Sequence, residues 1–135
     1  PGRRRAVLLA AADPANAYGA ALPWPEPPAG ASHKPGRKAG SLVVLLDGAL
    51  ALYVERGGKT VLAWPQREGA EAPEPDDPGL REAAAALAEA AHAGMLGTVT
   101  VERVNGASAL SSPLGALLEE AGFHATPRGL RLRGA

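Results

Sequence analysis

Basic side chains occur in three separate parts of the sequence, and cations of this kind could bind the phosphates of a nucleic acid. One group opens the chain, a second lies in a proline- and glycine-rich segment, and a third lies near the C-terminus. In the C-terminal segment LRLR, the period of a strand places both leucines on one face and both arginines on the other. If the three groups converge, they form a track for a phosphate backbone, and if they do not, they form a scattered, solvated surface. The basic candidates are Arg3, Arg4, Arg5, Lys34, Arg37, Lys38, Arg128, Arg131 and Arg133.

An aromatic side chain beside such a track could stack on a nucleobase. In the segment ALALYVER, Leu50, Leu52 and Val54 share one strand face, and Tyr53 and Glu55 share the other. An exposed Tyr53 would therefore be a candidate nucleic-acid contact. The alternative is that Tyr53 covers a sheet. The two tryptophans are expected to fill the core, because the chain has few other large side chains.

The stretch AAADPANAYGAALPWP, residues 10–25, places an Asp, an Asn, a Tyr and a Trp within a few positions. Asp13 is followed by a proline, which suits its side chain to an Asx turn that caps the preceding strand. Tyr18, Leu22 and Trp24 can then fold back over the open end of a small barrel. We therefore interpret the stretch mainly as a closing loop, in which Asp13, Asn16 or Tyr18 could also touch nucleic acid.

The motifs that would bind a nucleotide or a metal are incomplete. The segment GGKT, residues 57–60, lacks the earlier glycine of a P-loop, and it leads into a strand where a P-loop leads into a helix. The three histidines lie far apart in the sequence, without the short spacing of metal ligands. Glu119 and Glu120 are adjacent on a predicted helix and point about 100° apart, which does not form a paired acid and base. We therefore predict no catalytic residue, metal site or cofactor in this chain.

The composition limits the class of protein that holds these side chains. The chain has 135 residues, 46% of them hydrophobic, and a formal net charge of zero, which fits one globular domain over residues 1–135. The absence of cysteine excludes a disulfide framework and favours a cytoplasmic protein. The sequence contains neither a membrane-spanning apolar run nor a signal peptide. Because it begins with Pro rather than Met, we interpret the chain as a fragment of a larger protein.

Four apolar segments predict strands in the first half of the chain. The segment RAVLLAAA is followed, after a loop, by SLVVLL, ALALYVER and KTVLAW. Asp47-Gly48 and Gly57-Gly58 connect the last three segments. Such pairs favour tight hairpin turns, because both turn residues must adopt a positive φ. The pattern therefore predicts a three-stranded antiparallel meander.

The second half of the chain predicts two helices among short strands. An alanine-rich helix is expected over residues 79–96, with Gly94 as its C-terminal stop. A second helix is expected over residues 112–122, with a serine N-cap and a proline at its first position. The segment GTVTVERV predicts one strand, and the segment FHATPRGLRLR predicts a terminal hairpin.

Two long loops interrupt this pattern, over residues 23–40 and 65–78. The second loop is acidic and proline-rich, so it is expected to be mobile, with Asp76 and Asp77 serving as solubilising charges. The order of elements predicts an α+β fold. Its sheet is expected to be mostly antiparallel, or a small, partly closed β-barrel, with two helices.

Three stretches, taken in order, resemble the C-terminal region of the large helicase-related proteins of the Lhr family. LAAADPANAYGAALPWP, residues 9–25, is similar to a signature near the end of these proteins. GRKAGSLVVLLDGALALYVERGGKTVLAW, residues 36–64, looks like the next block of the same region. SPLGALLEEAGFHATPRGLRLR, residues 112–133, is similar to the family's C-terminal end. The resemblance covers most of the chain apart from the acidic loop.

The resemblance implies that the parent protein is a superfamily 2 ATP-dependent helicase of the DEAD/DEAH-box type. Such proteins are DNA-dependent ATPases that unwind DNA in the 3′-to-5′ direction and are linked to DNA repair. The domains that bind their ATP and Mg²⁺ are N-terminal and absent from this chain. By this resemblance the chain is a non-catalytic, C-terminal accessory module that assists nucleic-acid binding, oligomerisation or both. Its implied partners are single-stranded or forked DNA, the helicase core and winged-helix modules of the same chain, and other copies in a homo-oligomer.

The same resemblance also leaves an enzymatic alternative open. The C-terminal region of the family is similar to winged-helix DNA glycosylases, which excise damaged bases. In this alternative, Asp13 or Glu55 near an aromatic ring would belong to a base-excision site. No helicase or nucleotide-binding residue of the family carries over, because those motifs are absent from this sequence. The two hypotheses therefore differ in whether the chain holds a catalytic carboxylate.

Overall fold

The computed structural model describes residues 5–133, which form nine short strands, two α-helices and one 3₁₀ turn. The strands are β1 (Ala6–Ala10), β2 (Leu42–Leu46), β3 (Ala49–Val54), β4 (Thr60–Ala63), β5 (Val99–Val101), β6 (Arg103–Val104), β7 (Ala107–Ser108), β8 (His124–Ala125) and β9 (Leu130–Leu132). The helices are α1 (Pro78–His92) and α2 (Pro113–Glu120), and the 3₁₀ turn is Ala109–Ser111. The predicted α+β class is confirmed.

The larger sheet has the strand order β1-β2-β3-β4-β6-β7 and is antiparallel except where β4 runs parallel to β6. The predicted meander of β2, β3 and β4 is confirmed, and β1 adds a fourth antiparallel strand beside β2. Both turns of the meander have positive φ angles, at Asp47, Gly48, Gly57 and Gly58. The sequence predicted either a mostly antiparallel sheet or a small, partly closed barrel. No closed barrel forms within residues 5–133, and the first arrangement is the observed one.

The segment GTVTVERV divides between two sheets, so the prediction of one strand is wrong. β5 pairs with β9 in the three-stranded sheet β5-β9-β8, whereas β6 pairs with β4 and β7 in the larger sheet. The backbone N–H groups of Glu102 and Arg103 both donate to the carbonyl oxygen of Lys59, at 2.8 and 3.0 Å. A run of alternating residues does not reveal such a change of partner, because each half keeps the strand period.

The larger sheet buries a different apolar cluster on each face. On one face α1 packs against the sheet through leucines and alanines, among them Leu80, Ala84 and Leu87. The other face is covered by the chain that follows β1, where Tyr18 and Trp24 pack over the sheet. Since both faces are covered, β2, β3 and β4 consist almost entirely of buried apolar residues.

Both predicted helices form, but α1 spans Pro78–His92 and not residues 79–96, and its N-cap was not predicted, whereas the serine cap of α2 and the glycine stop of α1 were. The Asp77 side chain caps α1 by accepting from the N–H of Gly79 at 2.9 Å, and Gly94 follows the helix with a φ of 83°. The Ser112 hydroxyl caps α2 by accepting from the N–H of Gly115 at 2.9 Å. Among residues 5–133 no helix is long and apolar enough to cross a lipid bilayer.

The acidic loop 65–78 is anchored by Asp77, and the prediction that this residue is a solubilising charge is wrong. Asp77 is only 1% exposed. Besides capping α1, its carboxylate accepts from the backbone N–H groups of Gln66 and Arg67 at 2.8 and 3.1 Å. A buried carboxylate must be hydrogen-bonded, and four N–H groups satisfy that requirement here.

The exposed residues of this loop form an ion-pair cluster around Arg67. Its Nη1 lies 3.0 Å from Glu74 Oε1 and 3.2 Å from Asp76 Oδ1. The negative charge of Asp76 raises the pKa of the Arg67 guanidinium above its ordinary value, with smaller contributions from Glu74 and Asp77. The cationic charge of Arg67 is therefore matched within its own loop.

Candidate functional site

The C-terminal hairpin places arginines on the outer face of the three-stranded sheet. β9 lies in the middle of that sheet, between β8 and β5. Leu130 is fully buried, whereas Arg131 and Arg133 are exposed, so the predicted alternation of faces is confirmed. Arg128, in the turn before β9, is also exposed. None of these arginines forms an ion pair with another of the described residues.

The strand register defines the neighbours of Arg131. Thr100 on β5 and His124 on β8 lie directly opposite it, and opposite residues of paired strands share a face. His124 is exposed and Thr100 is half-buried. A hydroxyl, an imidazole and a guanidinium are therefore aligned in one row, and all three groups can donate hydrogen bonds to phosphate oxygens.

Arg37 is held within the protein, in contrast to the hairpin arginines. Its Nη1 donates to the carbonyl oxygens of Asn16 and Tyr18, at 2.7 and 2.8 Å. Its Nη2 donates to the carbonyl oxygens of Ala12 and Asp13, at 3.2 and 3.1 Å. The four Nη hydrogens of the guanidinium thus have four backbone acceptors. This side chain fixes the loop that follows β1.

The two lysines of the basic loop differ in their surroundings. Lys38 Nζ lies 3.5 Å from Glu55 Oε1, so its charge faces a carboxylate of the same chain. Lys34 is exposed and has no ion-pair partner within residues 5–133. Of the three candidate cations in this loop, only Lys34 has neither an ion pair nor a side-chain hydrogen bond within residues 5–133.

Arg5 lies away from the basic loop. Its backbone N–H donates to Asp47 Oδ1 at 3.0 Å, at the start of β1. Ala11, at the other end of the strand, donates to the carbonyl just before β2, close to the basic loop. The five residues of β1 separate the two ends by roughly 16 Å. Arg3 and Arg4, the remaining N-terminal candidates, lie outside the described residues.

Tyr53 is buried, and the prediction of an exposed ring that could stack a base is wrong. Its exposed fraction is 0%. Trp24 packs edge-on against the Tyr53 ring, with their centroids 5.8 Å apart. The alternation of ALALYVER placed Tyr53 opposite Leu52 and Val54, as observed, but the prediction that Leu50 shares their face is wrong, because a β-bulge in the pairing with β2 puts Leu50 in the cluster of Tyr53. The alternation also could not predict that a loop forms a second layer over the Tyr53 face. The alternative, in which Tyr53 covers the sheet, describes the observed position.

A polar cluster surrounds the carboxylate of Glu55 at the end of β3. Glu55 Oε2 accepts from Ser41 Oγ at 3.3 Å and from Tyr53 Oη at 3.4 Å. Glu55 Oε1 faces Lys38 Nζ at 3.5 Å and His33 Nε2 at 3.8 Å. His33 Nε2 is buried without a hydrogen-bond partner. A partly exposed carboxylate with several donors around it could hold or move a proton.

Sequence reasoning named Glu55 and Lys38 but missed Ser41 and His33 as their neighbours. These residues lie 14 or more positions from Glu55, and no local pattern connects them. The pairing of β2 with β3 brings Ser41 and Glu55 together. Within residues 5–133, no group of three His, Cys, Asp or Glu side chains is placed to hold a metal ion.

Comparison with known proteins finds two relatives that match almost the whole chain. No protein-family model matches the chain. A protein of Mycolicibacterium smegmatis named Lhr helicase/probable uracil glycosylase is 46% identical over 135 aligned positions, covering 95% of this chain and 8% of that protein. A protein of Escherichia coli K12 named Lhr helicase/uracil glycosylase is 40% identical over 124 positions, covering 92% of this chain and 7% of that protein.

The chain matches one segment of proteins named Lhr helicase over almost its whole length. It spans 7–8% of the length of these curated relatives. The resemblance inferred from the sequence motifs is therefore confirmed, and the match is consistent with the C-terminal part of a large Lhr helicase.

In this Lhr segment, the stretch DPANAYG is a network of local hydrogen bonds. The carboxylate of Asp13 accepts from the N–H of Ala15 at 2.7 Å, which confirms the predicted Asx turn. Asn16 is 1% exposed. Its amide donates to the carbonyl oxygen of Ala11 at 2.8 Å and accepts from the N–H of Tyr18 at 3.1 Å. The side chain of Asn16 is thus used to shape the loop.

Proposed function

We propose that this Lhr segment is an accessory domain of a larger ATP-dependent helicase and that it contacts nucleic acid through its C-terminal hairpin. The relatives named Lhr helicase support the helicase context. The observation that carries the contact is the exposed face of β9, where Arg131 and Arg133 have no ion-pair partner within residues 5–133. In this proposal residues 1–135 form one module, and the ATPase activity resides elsewhere in the parent protein.

Unpaired arginines on a strand face favour a phosphate backbone as ligand. An arginine that already faces a carboxylate must break that pair before it binds an anion, whereas a solvated arginine only exchanges counterions. A guanidinium also matches the geometry of a phosphate, because it can donate two parallel hydrogen bonds. We propose single-stranded or forked DNA as the ligand, and the helicase core and winged-helix modules of the same polypeptide as neighbours.

The proposal is tested by measuring the affinity of the chain for a fluorescent single-stranded oligonucleotide over a range of salt concentrations. Each lost phosphate contact lowers the slope of log affinity against log salt by about 0.7 for a single strand. The double variant Arg131→Ala/Arg133→Ala is therefore expected to lose about 1.4 units of slope. The matched control Arg67→Ala/Arg81→Ala removes the same charge from arginines that face carboxylates, and it should bind as the wild type does.

Equal slopes for the hairpin variant and the wild type would refute the contact. An affinity that does not change with ionic strength would also refute it, because binding to phosphates releases counterions. Thermal melting of both double variants verifies that they are folded before their affinities are compared.

A second candidate function is base excision at Glu55, and the Glu55 cluster is the observation that favours it. Both relatives carry the words uracil glycosylase in their names. In this proposal the Glu55 carboxylate takes a proton from a water molecule, whose oxygen attacks the anomeric carbon of the nucleotide. The bond from that carbon to the base breaks, and the base leaves with the electron pair. Asp13 is the weaker candidate, since its carboxylate already serves the Asx turn.

The Glu55→Gln variant tests this function on an oligonucleotide that contains uracil. Loss of a general base is expected to lower the excision rate by about 100-fold or more, and Asp13→Asn should leave the rate near that of the wild type. An inactive wild-type chain, or equal rates for Glu55→Gln and the wild type, would remove Glu55 from this role.

A further inference from the structure

Two cations that sequence reasoning did not select lie where the two sheets meet. Lys59 precedes β4, and Arg103 begins β6; both are exposed. Their backbones are directly joined, since the N–H of Arg103 donates to the carbonyl oxygen of Lys59 at 3.0 Å. These residues are 44 positions apart in the sequence, so only the tertiary structure makes them neighbours.

The same junction leads to the hairpin arginines. Arg131 lies directly opposite Thr100 on β5. Thr100 precedes Arg103 by three residues, a stretch of chain that spans at most about 10 Å. Along the path from β9 through β5 to β6 and β4, the cations follow in the order Arg131, Arg103 and Lys59.

The cations at this junction have no partner of opposite charge among the described residues. The carboxylate nearest to them in sequence is Glu102, which is half-buried and takes part in no ion pair within residues 5–133. Three cations and one carboxylate leave a net positive charge at the junction. By contrast, Arg81 on α1 faces Glu120 at 2.6 Å, and Lys38 faces Glu55.

Hydroxyl groups flank Arg103 in the large sheet. Thr60 on β4 and Ser108 on β7 are its register partners, so the three side chains form one row across neighbouring strands. Thr60 is half-buried and Ser108 is exposed. Serine and threonine hydroxyls commonly donate to phosphate oxygens beside arginine and lysine. The row matches the one on the small sheet, where Thr100 and His124 flank Arg131.

We propose that Lys59, Arg103 and Arg131 form one phosphate-binding strip that crosses from the small sheet to the large one. The strip takes the phosphodiester backbone of a single strand and does not read bases. This inference rests on the proposed function and extends it. It adds Lys59 and Arg103 to a contact otherwise limited to the hairpin, and it predicts that the bound strand runs from the small sheet towards the large one.

The experiment compares Lys59→Ala/Arg103→Ala with the matched control Arg67→Ala/Arg81→Ala, which loses the same charge. Affinity for a single-stranded oligonucleotide is measured over a range of salt concentrations on the 135-residue chain. The junction variant is expected to lose about 1.4 units of the salt slope, and the control none. The variant Lys59→Arg keeps the charge and should bind as the wild type does. Thermal melting verifies the folding of each variant, and Lys59→Gln/Arg103→Gln replaces the alanine pair if that pair unfolds.

The outcomes separate this inference from the proposed function. If Arg131→Ala/Arg133→Ala weakens binding while the junction variant matches the control, the strip is wrong and the hairpin contact stands. If the wild type does not bind single-stranded DNA, both are wrong. If the affinity of the wild type depends strongly on the base composition of the oligonucleotide, the backbone-only strip is overturned.

Discussion

The loop after β1 and the C-terminal hairpin both contain arginines, but they use them in opposite ways. Arg37 donates to four carbonyl oxygens of residues 12–18, whereas Arg131 and Arg133 extend from an exposed strand face. Arginines of equal charge therefore stabilise a loop in one region and remain exposed to a ligand in the other. The difference follows from the acceptors that lie within reach of each guanidinium.

The need of the loop's carbonyl groups for hydrogen-bond donors explains why Arg37 is held there. Residues 23–40 contain neither helix nor strand, and the turn after β1 leaves several carbonyl groups without sheet partners. Such groups must be hydrogen-bonded when they are removed from water. In the hairpin, β9 has a partner strand on each side, so its backbone is satisfied without help from arginine. The hairpin arginines are then left for a ligand.

The largest expected effect on stability comes from Arg37→Ala. The variant removes one donor from each of four carbonyl oxygens, of which that of Asp13 keeps the backbone N–H of Asn16, and we expect it to lower the free energy of unfolding by about 3 kcal/mol. Urea denaturation measures this change. Lys34→Ala removes an exposed cation from the same loop and should change stability by less than about 0.5 kcal/mol. Equal midpoints for the two variants would show that Arg37 does not hold the loop.

A smaller loss of stability is expected for Asn16→Ala. The buried amide of Asn16 bonds to three backbone groups, and the loss of these bonds should cost about 2 kcal/mol. The same denaturation series measures it, with Ala15→Ser as a control at an exposed neighbouring position. If Asn16→Ala is as stable as the wild type, the hydrogen-bond network of this loop contributes less than its geometry indicates.

The smallest effect on stability is expected for Arg131→Ala/Arg133→Ala. Both side chains are exposed and unpaired within the described residues, so the free energy of unfolding should change by less than about 0.5 kcal/mol. The same variant is expected to bind single-stranded DNA more weakly. A large loss of stability would show that the hairpin arginines are structural like Arg37, and the contrast between the two regions would then disappear.

Turns and helix ends were the features that the sequence predicted best. Asp47-Gly48 and Gly57-Gly58 form the expected hairpins, and Ser112 and Gly94 lie at helix ends. These features depend on residues that are adjacent in the chain, because a positive φ or an N-cap is a local requirement. The α+β class followed from the order of these elements.

The candidate sites were predicted less completely. The sequence selected Arg131 and Arg133 through their strand period, but it could not show that Arg37 would be bound by carbonyl groups. It placed Asp77 in a mobile loop, whereas the carboxylate is buried as the cap of α1. The buried position of Tyr53 depends on Trp24, almost thirty residues away. Each of these outcomes depends on a neighbour that is distant in the chain.

The sequence by itself determined the strands of the meander, the two helices and the faces on which the hairpin arginines lie. The motifs in their order also predicted the similarity to Lhr helicases that the comparisons confirm. Only the tertiary structure decided which cations lack an ion-pair partner within residues 5–133. It also decided that the backbone of Arg103 bonds to that of Lys59 and that polar side chains surround the Glu55 carboxylate. The physical reason is that local conformation depends on a few adjacent residues. The availability of a charge, by contrast, depends on every acceptor that folding brings within about 3–4 Å of it.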